Sequence, residues 1–174
     1  MAQETPRVKL TYRDLVLFPD DGKRHELIDG EHYVTASPST RHQRVLTELL
    51  LELHVYLREQ GTGRVFPAPC DVVLSEFDVV EPDLLVVTQA ANGRITEANI
   101  QGAPDLVVEI LSPSTKGRDR VLKLRLYEKF GVREYWIVDP VGESIEVRGS
   151  LTGDSAPPNR WAEMEFSPRP CSRS

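Results

Sequence analysis

Two short segments each set an acid against or within an apolar run. Val80-Glu-Pro-Asp-Leu-Leu-Val-Val87 presents Asp83 at the start of its apolar run, and Asp105-Leu-Val-Val-Glu-Ile-Leu-Ser112 holds Glu109 in the middle of one. A carboxylate inside Leu-Val-Val-Glu-Ile-Leu is costly to bury unless it is ion-paired, hydrogen-bonded or metal-bound. Two hard oxygen donors suit Mg²⁺, with Mn²⁺ as a substitute, because these ions keep waters and bind phosphate oxygens. The alternative for Glu109 is an exposed strand face or a structural ion pair. Lys123 follows in a basic segment. On a helix from about Asp119 to Phe130, the residues Asp119, Lys123 and Tyr127 form one polar row beside Leu122, Leu126 and Phe130. Such a helix, starting right after the Glu109 strand, returns that row across the strand ends. There an ammonium can orient a water and offset charge on a pentavalent phosphate. The alternative is a solvated lysine.

The elements that must hold these groups are legible upstream. Thr11 stands at an N-cap position before Leu15, Val16 and Phe18, which predicts a short helix within 10–18. Asp29-Gly30 between short apolar segments predicts a hairpin, with strands near 24–28 and 31–36. Ser37-Pro-Ser-Thr40 caps a helix over about 40–59, whose Leu46, Leu49, Leu50, Leu53 and Leu57 form a core-facing stripe and which Gly61 ends. His42, in its first turn, faces inward as a core histidine or a site residue. Glu26 and Glu31 flank the hairpin turn, each an ordinary strand acid or one of them a third metal ligand. His25, His32 and His54 have no zinc-site spacing and read as surface or packing residues. Residues 89–103 read as a loop. The segment 105–139 reads as strand, helix and strand, a parallel crossover. The whole predicts an α/β fold around a mixed central sheet flanked by helices.

Composition narrows the classes. A chain of 174 residues with 40% hydrophobic and 28% charged residues matches one ordinary globular domain. No apolar run is long enough to cross a bilayer, and the N-terminus lacks a signal-peptide pattern. Cys70 and Cys171 make neither a staple framework nor a thiolate site, so a cytoplasmic location is expected. The net charge of −6 argues against bulk adsorption to nucleic acid. Between Lys116 and Arg133, however, seven basic residues face only Asp119 and Glu128 before Glu134. That strip, including Lys116, Arg118 and Arg120, permits phosphate contact, though a solvated helix face has the same composition. Gly-rich phosphate loops and a GxSxG nucleophile elbow are absent.

Several motifs together resemble the Uma-two family. They are Glu81-Pro-Asp-Leu84, Asp105-Leu-Val-Val-Glu-Ile-Leu-Ser-Pro-Ser-Thr115, Asp119 through Lys123 to Tyr127, and Gly131-Val-Arg-Glu-Tyr-Trp-Ile-Val-Asp-Pro140. His25-Glu-Leu-Ile-Asp-Gly-Glu31 and Ser37-Pro-Ser with His42 resemble its N-terminal part. The resemblance spans roughly residues 10–148. It implies a restriction-endonuclease-like core of the PD-(D/E)XK superfamily with an N-terminal β-hairpin addition, and Mg²⁺-dependent hydrolysis of phosphodiester bonds, with DNA as the expected partner. It implies that Asp83 and Glu109 hold the metal and act in catalysis. The superfamily lysine then belongs at position 111, where this chain has Leu111, and the resemblance moves that role to Lys123. Glu26, His42 and Tyr127 fall at further candidate site positions, and Lys116, Arg118 and Arg120 at candidate nucleic-acid contacts. A homodimer is an option, since many nucleases of this kind pair to cut both strands. The expected organisation is a lead-in over 1–9, a domain over 10–148, and a weakly structured or truncated tail over 149–174. The competing function is a catalytically inactive nuclease-like module that binds nucleic acid or a protein.

Overall fold

The computed structural model describes residues 8–112 and 117–149, without the side chains of 118 and 119. Most of the lead-in, Lys116 and the tail from 150 onward lie outside the described residues.

Thr11 caps α1 (Tyr12–Leu15) in a reciprocal box with Asp14, which satisfies backbone N–H groups that a helix start leaves open. β1 (Arg24–Ile28) and β2 (Glu31–Thr35) form the hairpin, joined by Asp29 and Gly30 with φ of 51° and 75°. Positive φ at both turn positions is the twist a two-residue hairpin needs. The Asp29 N–H donates to Asp78 Oδ1 and the Gly30 N–H to the Phe77 carbonyl, both at 2.8 Å, so the tip is pinned to the body. Ser39 caps α2 (Thr40–Gln60), and Gly61, with φ 62°, ends it.

β3 (Gly63–Pro67), β4 (Val72–Val73), β5 (Val79–Val80) and β6 (Leu84–Thr88) follow. After a 3₁₀ turn over Gln89–Arg94 come β7 (Ile100–Gln101) and β8 (Leu106–Ile110). A π-helical segment, Arg118–Lys123, runs into α3 (Leu124–Phe130), and β9 (Glu134–Asp139) and β10 (Ser144–Gly149) complete the described part. The expected mixed sheet is present, ordered β10-β9-β8-β6-β3, and a second five-stranded mixed sheet is ordered β2-β1-β5-β4-β7. The loop expected over 89–103 contains the 3₁₀ turn and β7. Two-residue strands such as β4, β5 and β7 have no periodicity to read, because a period of two needs at least a few residues to show itself. β8 and β9 are parallel, as the crossover requires.

β8 is buried along its whole length and faces two cores. Leu106, Val108 and Ile110 pack with Leu49, Leu53 and Leu57 of α2, while Val107 and Leu111 pack with Leu126, Tyr127 and Tyr135. Glu109 belongs to the second row and therefore points toward the helical crossover. Leu46 and Leu50 of the predicted stripe are only partly buried. Leu53→Ala is expected to cost about 2–5 kcal/mol in urea unfolding, because it leaves a cavity under β8. Leu51→Ala, on the exposed side of the same helix, is expected to change stability by less than ~0.5 kcal/mol.

Candidate active site

β6 and β8 are antiparallel with Leu84 opposite Val108, so the next pair out is Asp83 and Glu109. At that strand end Asp83 turns its carboxylate onto the backbone of β8, where Oδ2 accepts the Ile110 N–H at 2.7 Å. β1 lays Glu26 alongside, and Glu26 Oε1 accepts the Glu81 N–H at 3.0 Å. Lys123 reaches this point from the crossover. Its ammonium lies 2.7 Å from Glu26 Oε1 and 2.7 Å from Glu109 Oε1. The Tyr127 hydroxyl donates to the same Glu109 oxygen at 2.9 Å. Asp83 is held from two more directions, by Arg24 Nη2 on Oδ1 at 2.9 Å and by His42 Nε2 on Oδ2 at 3.1 Å. A carboxylate only accepts, so His42 carries a proton on Nε2.

Asp83, Glu109, Lys123, Glu26, His42 and Tyr127 thus converge on one buried cluster. Glu26 is 0% exposed, Lys123 1%, and Asp83 and Glu109 2% each. Glu31, the other hairpin acid, is exposed. Of the expected helical row, the Asp119 side chain lies outside the described residues; the backbone there is π-helical, and the step from Lys123 to Tyr127 is carried into α3. Leu111 is buried in the core beneath α3 rather than near solvent. Arg24 joins the cluster without having been a sequence candidate. Its signal is present nonetheless, because period-two alternation puts Arg24 and Glu26 on one face of the hairpin strand. Lys116 lies outside the described residues, and of Arg118 only the backbone is described. Arg120 is ion-paired to Glu146 of β10. Lys129 and Arg133 likewise face Asp78 and Asp105, at 3.4 and 3.6 Å, so much of the basic strip is answered by neighbouring acids.

The electrostatics arise from burial and pairing. Burial alone would raise the Asp83 pKa, but the His42 hydrogen bond, Arg24 and the Ile110 N–H outweigh it and hold the carboxyl below its ordinary value. That stabilisation is present above the ordinary aspartate pKa and is lost as pH falls through the lowered one. Burial would likewise lower Arg24, and the charges of Asp83, Glu109 and Glu26 reverse this. Tyr127 is pushed far up by burial and then by Glu109, so it stays a phenol and a donor. Against the three buried carboxylates of Asp83, Glu26 and Glu109 stand the two cations Lys123 and Arg24.

The donor chemistry fits a hard dication. Asp83 and Glu109 offer only oxygen, and Asp83 Oδ1 is paired with Arg24 alone among the contacts described, which leaves it lone-pair capacity. Among the described residues no group of three or more His, Cys, Asp or Glu side chains is placed to hold a metal. A two-carboxylate site completed by waters is the ordinary way Mg²⁺ is bound.

A buried acid–lysine cluster thus stands at the strand ends of a mixed α/β fold, covered by the helical crossover. A solved structure described as a putative nuclease belonging to DUF820 from Anabaena variabilis ATCC 29413 superposes with a TM-score of 0.70 at 21% identity, over 81% of this chain and 80% of that one. The sequence profile of Uma2, described as "Putative restriction endonuclease", matches residues 11–168, and the chain belongs to that family. No curated protein matches it. Among the described residues no helix is long and apolar enough to cross a membrane.

Glu81, beside the cluster, is raised from 4.5 to about 7, first by burial and then by Asp71. A raised carboxyl binds its proton more tightly in the folded state, so stability falls as pH rises from 4.5 through about 7. Glu81→Gln is expected to flatten that fall, leaving the variant more stable above neutrality by on the order of 1 kcal/mol once solvent screening is allowed for. Urea midpoints across this pH range measure it.

Proposed function

We propose that this chain is a metal-dependent endonuclease that hydrolyses phosphodiester bonds in nucleic acid, with DNA as substrate. The observation that carries the proposal is the Lys123 ammonium within 2.7 Å of Glu109, at the strand end where Asp83 lies opposite. Asp83 and Glu109 would hold Mg²⁺, replaceable by Mn²⁺, which supplies a Lewis acid for the phosphodiester and a water of lowered pKa. Lys123 lies between the Glu26 and Glu109 carboxylates and offers its charge to the negative charge that develops on the phosphate. Tyr127 orients Glu109 by donating to it. Arg24 and His42 fix the Asp83 carboxylate by its two oxygens. Arg24, with 18% of its side chain exposed, is the most accessible member of the cluster and meets an incoming phosphate first. Lys116, Arg118 and Arg120 are assigned to the nucleic-acid backbone, which requires Arg120 to leave Glu146. Pairing of two chains would present two such sites to the two strands.

One observation favours a second reading, a nuclease-like module that binds without cutting. The cluster's own cations and donors already engage both Asp83 oxygens and Glu109 Oε1, so metal entry must compete with them.

Plasmid nicking separates the two. The wild type is expected to nick supercoiled DNA with Mg²⁺ and to stop on chelation, while Asp83→Ala, Glu109→Ala and Lys123→Ala each lose about 100-fold or more. Equal activity in all four proteins would sink the nuclease reading. Salt-sensitive DNA binding without turnover would establish the second.

A further inference from the structure

The outer face of the hairpin holds a second constellation. Alternation along β1 sends Arg24 and Glu26 to the buried cluster and His25 to the opposite face. The register pairs His25 with Val34 and Leu27 with His32, so the two histidines lie diagonally on that face. His25 Nδ1 and His32 Nε2 are 2.9 Å apart. Their rings stack with 7° between planes, and Phe18 stands edge-on to both, its centroid 5.7 Å from His25 and 4.7 Å from His32. Behind His25, Nε2 lies 2.9 Å from Asp21 Oδ1, and Lys23 pairs with the other oxygen of Asp21 at 2.9 Å.

We propose that His25 and His32 form a two-imidazole chelate for a borderline transition-metal dication, with Zn²⁺ as the ion to test, and that Asp21 positions His25 from behind. The carboxylate can only accept, so it fixes the His25 proton on Nε2 and leaves the Nδ1 lone pair facing His32. A carboxylate on the far nitrogen of a ligating histidine is the arrangement that orients the ring and raises its basicity as a ligand. In the metal-free pair the His32 Nε2 proton fills the gap. With metal bound, that proton moves to His32 Nδ1 and two lone pairs converge.

Zn–N bonds of about 2.0–2.1 Å at a tetrahedral angle need the nitrogens roughly 3.3 Å apart and their lone pairs aimed at a common point rather than at each other, so one ring must swing as well as withdraw. His32 is exposed, so its ring can supply that movement. Since no trio of His, Cys, Asp or Glu could hold a metal among the described residues, water fills the remaining positions and the site is an open one. Imidazole nitrogen separates this pair from the Asp83 and Glu109 oxygens on the other face, which suit Mg²⁺.

Calorimetric titration of the untagged full chain with ZnCl₂, in excess Mg²⁺ to occupy the carboxylate cluster, tests the proposal. One equivalent is expected to bind the wild type. His25→Ala and His32→Ala are expected to lose it, and Asp21→Asn to bind about 10–100-fold more weakly. His32→Ala alters an exposed side chain and keeps the test valid if His25→Ala fails to fold. Long-range ¹H–¹⁵N spectra should shift at His25 Nδ1 and His32 Nε2. No binding by the wild type, or undiminished binding by His32→Ala, overturns the chelate. Undiminished binding by Asp21→Asn overturns the part given to Asp21. Each outcome is independent of whether the protein cuts nucleic acid.

Discussion

One buried ammonium ties this structure together. Lys123 draws β1, β8 and the crossover helix to a single point, because its two 2.7 Å contacts are to Glu26 on the first and Glu109 on the second. None of the three charges is tolerable there alone. An isolated ion in a protein interior costs several kcal/mol even after relaxation, and removing one partner of a buried pair typically costs about 3–5 kcal/mol. The cluster is therefore cooperative: each charge is soluble in the core only because the others are present. Arg24, His42 and the Ile110 N–H extend the same logic to Asp83, whose carboxyl they hold ionised against its own burial.

The hairpin is what this arrangement makes of a simple periodicity. Its strand β1 has one face in the ionic cluster and the other in the His25–His32 pair, so two polar constellations of different ligand chemistry share five residues of backbone. The strand is fixed from its tip as well, through Asp78 and Phe77, and from its flank, through the Glu81 N–H on Glu26. Neither face can shift without the other, since a one-residue slip would exchange them.

Much of this is legible in the residues. Asp83 and Glu109 stand out as acids before and within apolar strands, and the Lys123 to Tyr127 step survives because the residues that follow Lys123 are α-helical. The α2 stripe is readable from its spacing, although only Leu49, Leu53 and Leu57 reach the core fully. Of the second sheet only the β1–β2 hairpin is legible, because β4, β5 and β7 are two residues long. Arg24 escapes notice because a charge at the start of a strand looks solvated until its neighbours are known. Linear spacing hides the His25–His32 pair, whereas a hairpin register brings residues seven apart within hydrogen-bonding distance.

Leu111 and Lys123 mark two positions from which a side chain can reach the Glu109 side of the sheet. In a β-strand, residues i and i+2 share a face, so a lysine at 111 would lie on the Glu109 side, the side that the crossover helix covers. There are then two routes by which a nitrogen can reach Glu109: along the strand, or down from the helix. Here the strand position is apolar and buried beneath α3, with Leu126 and Tyr127 in the same core. The helix supplies the ammonium instead, from the last residue of the π-helical segment. The wider π turn rotates the downstream residues relative to a continuous α-helix, and Lys123 and Tyr127 end up donating to one oxygen of Glu109. A strand lysine would be placed by the sheet alone, whereas this one is placed by the docking of α3. The geometry of the acid cluster and the packing of the helical crossover are consequently a single constraint.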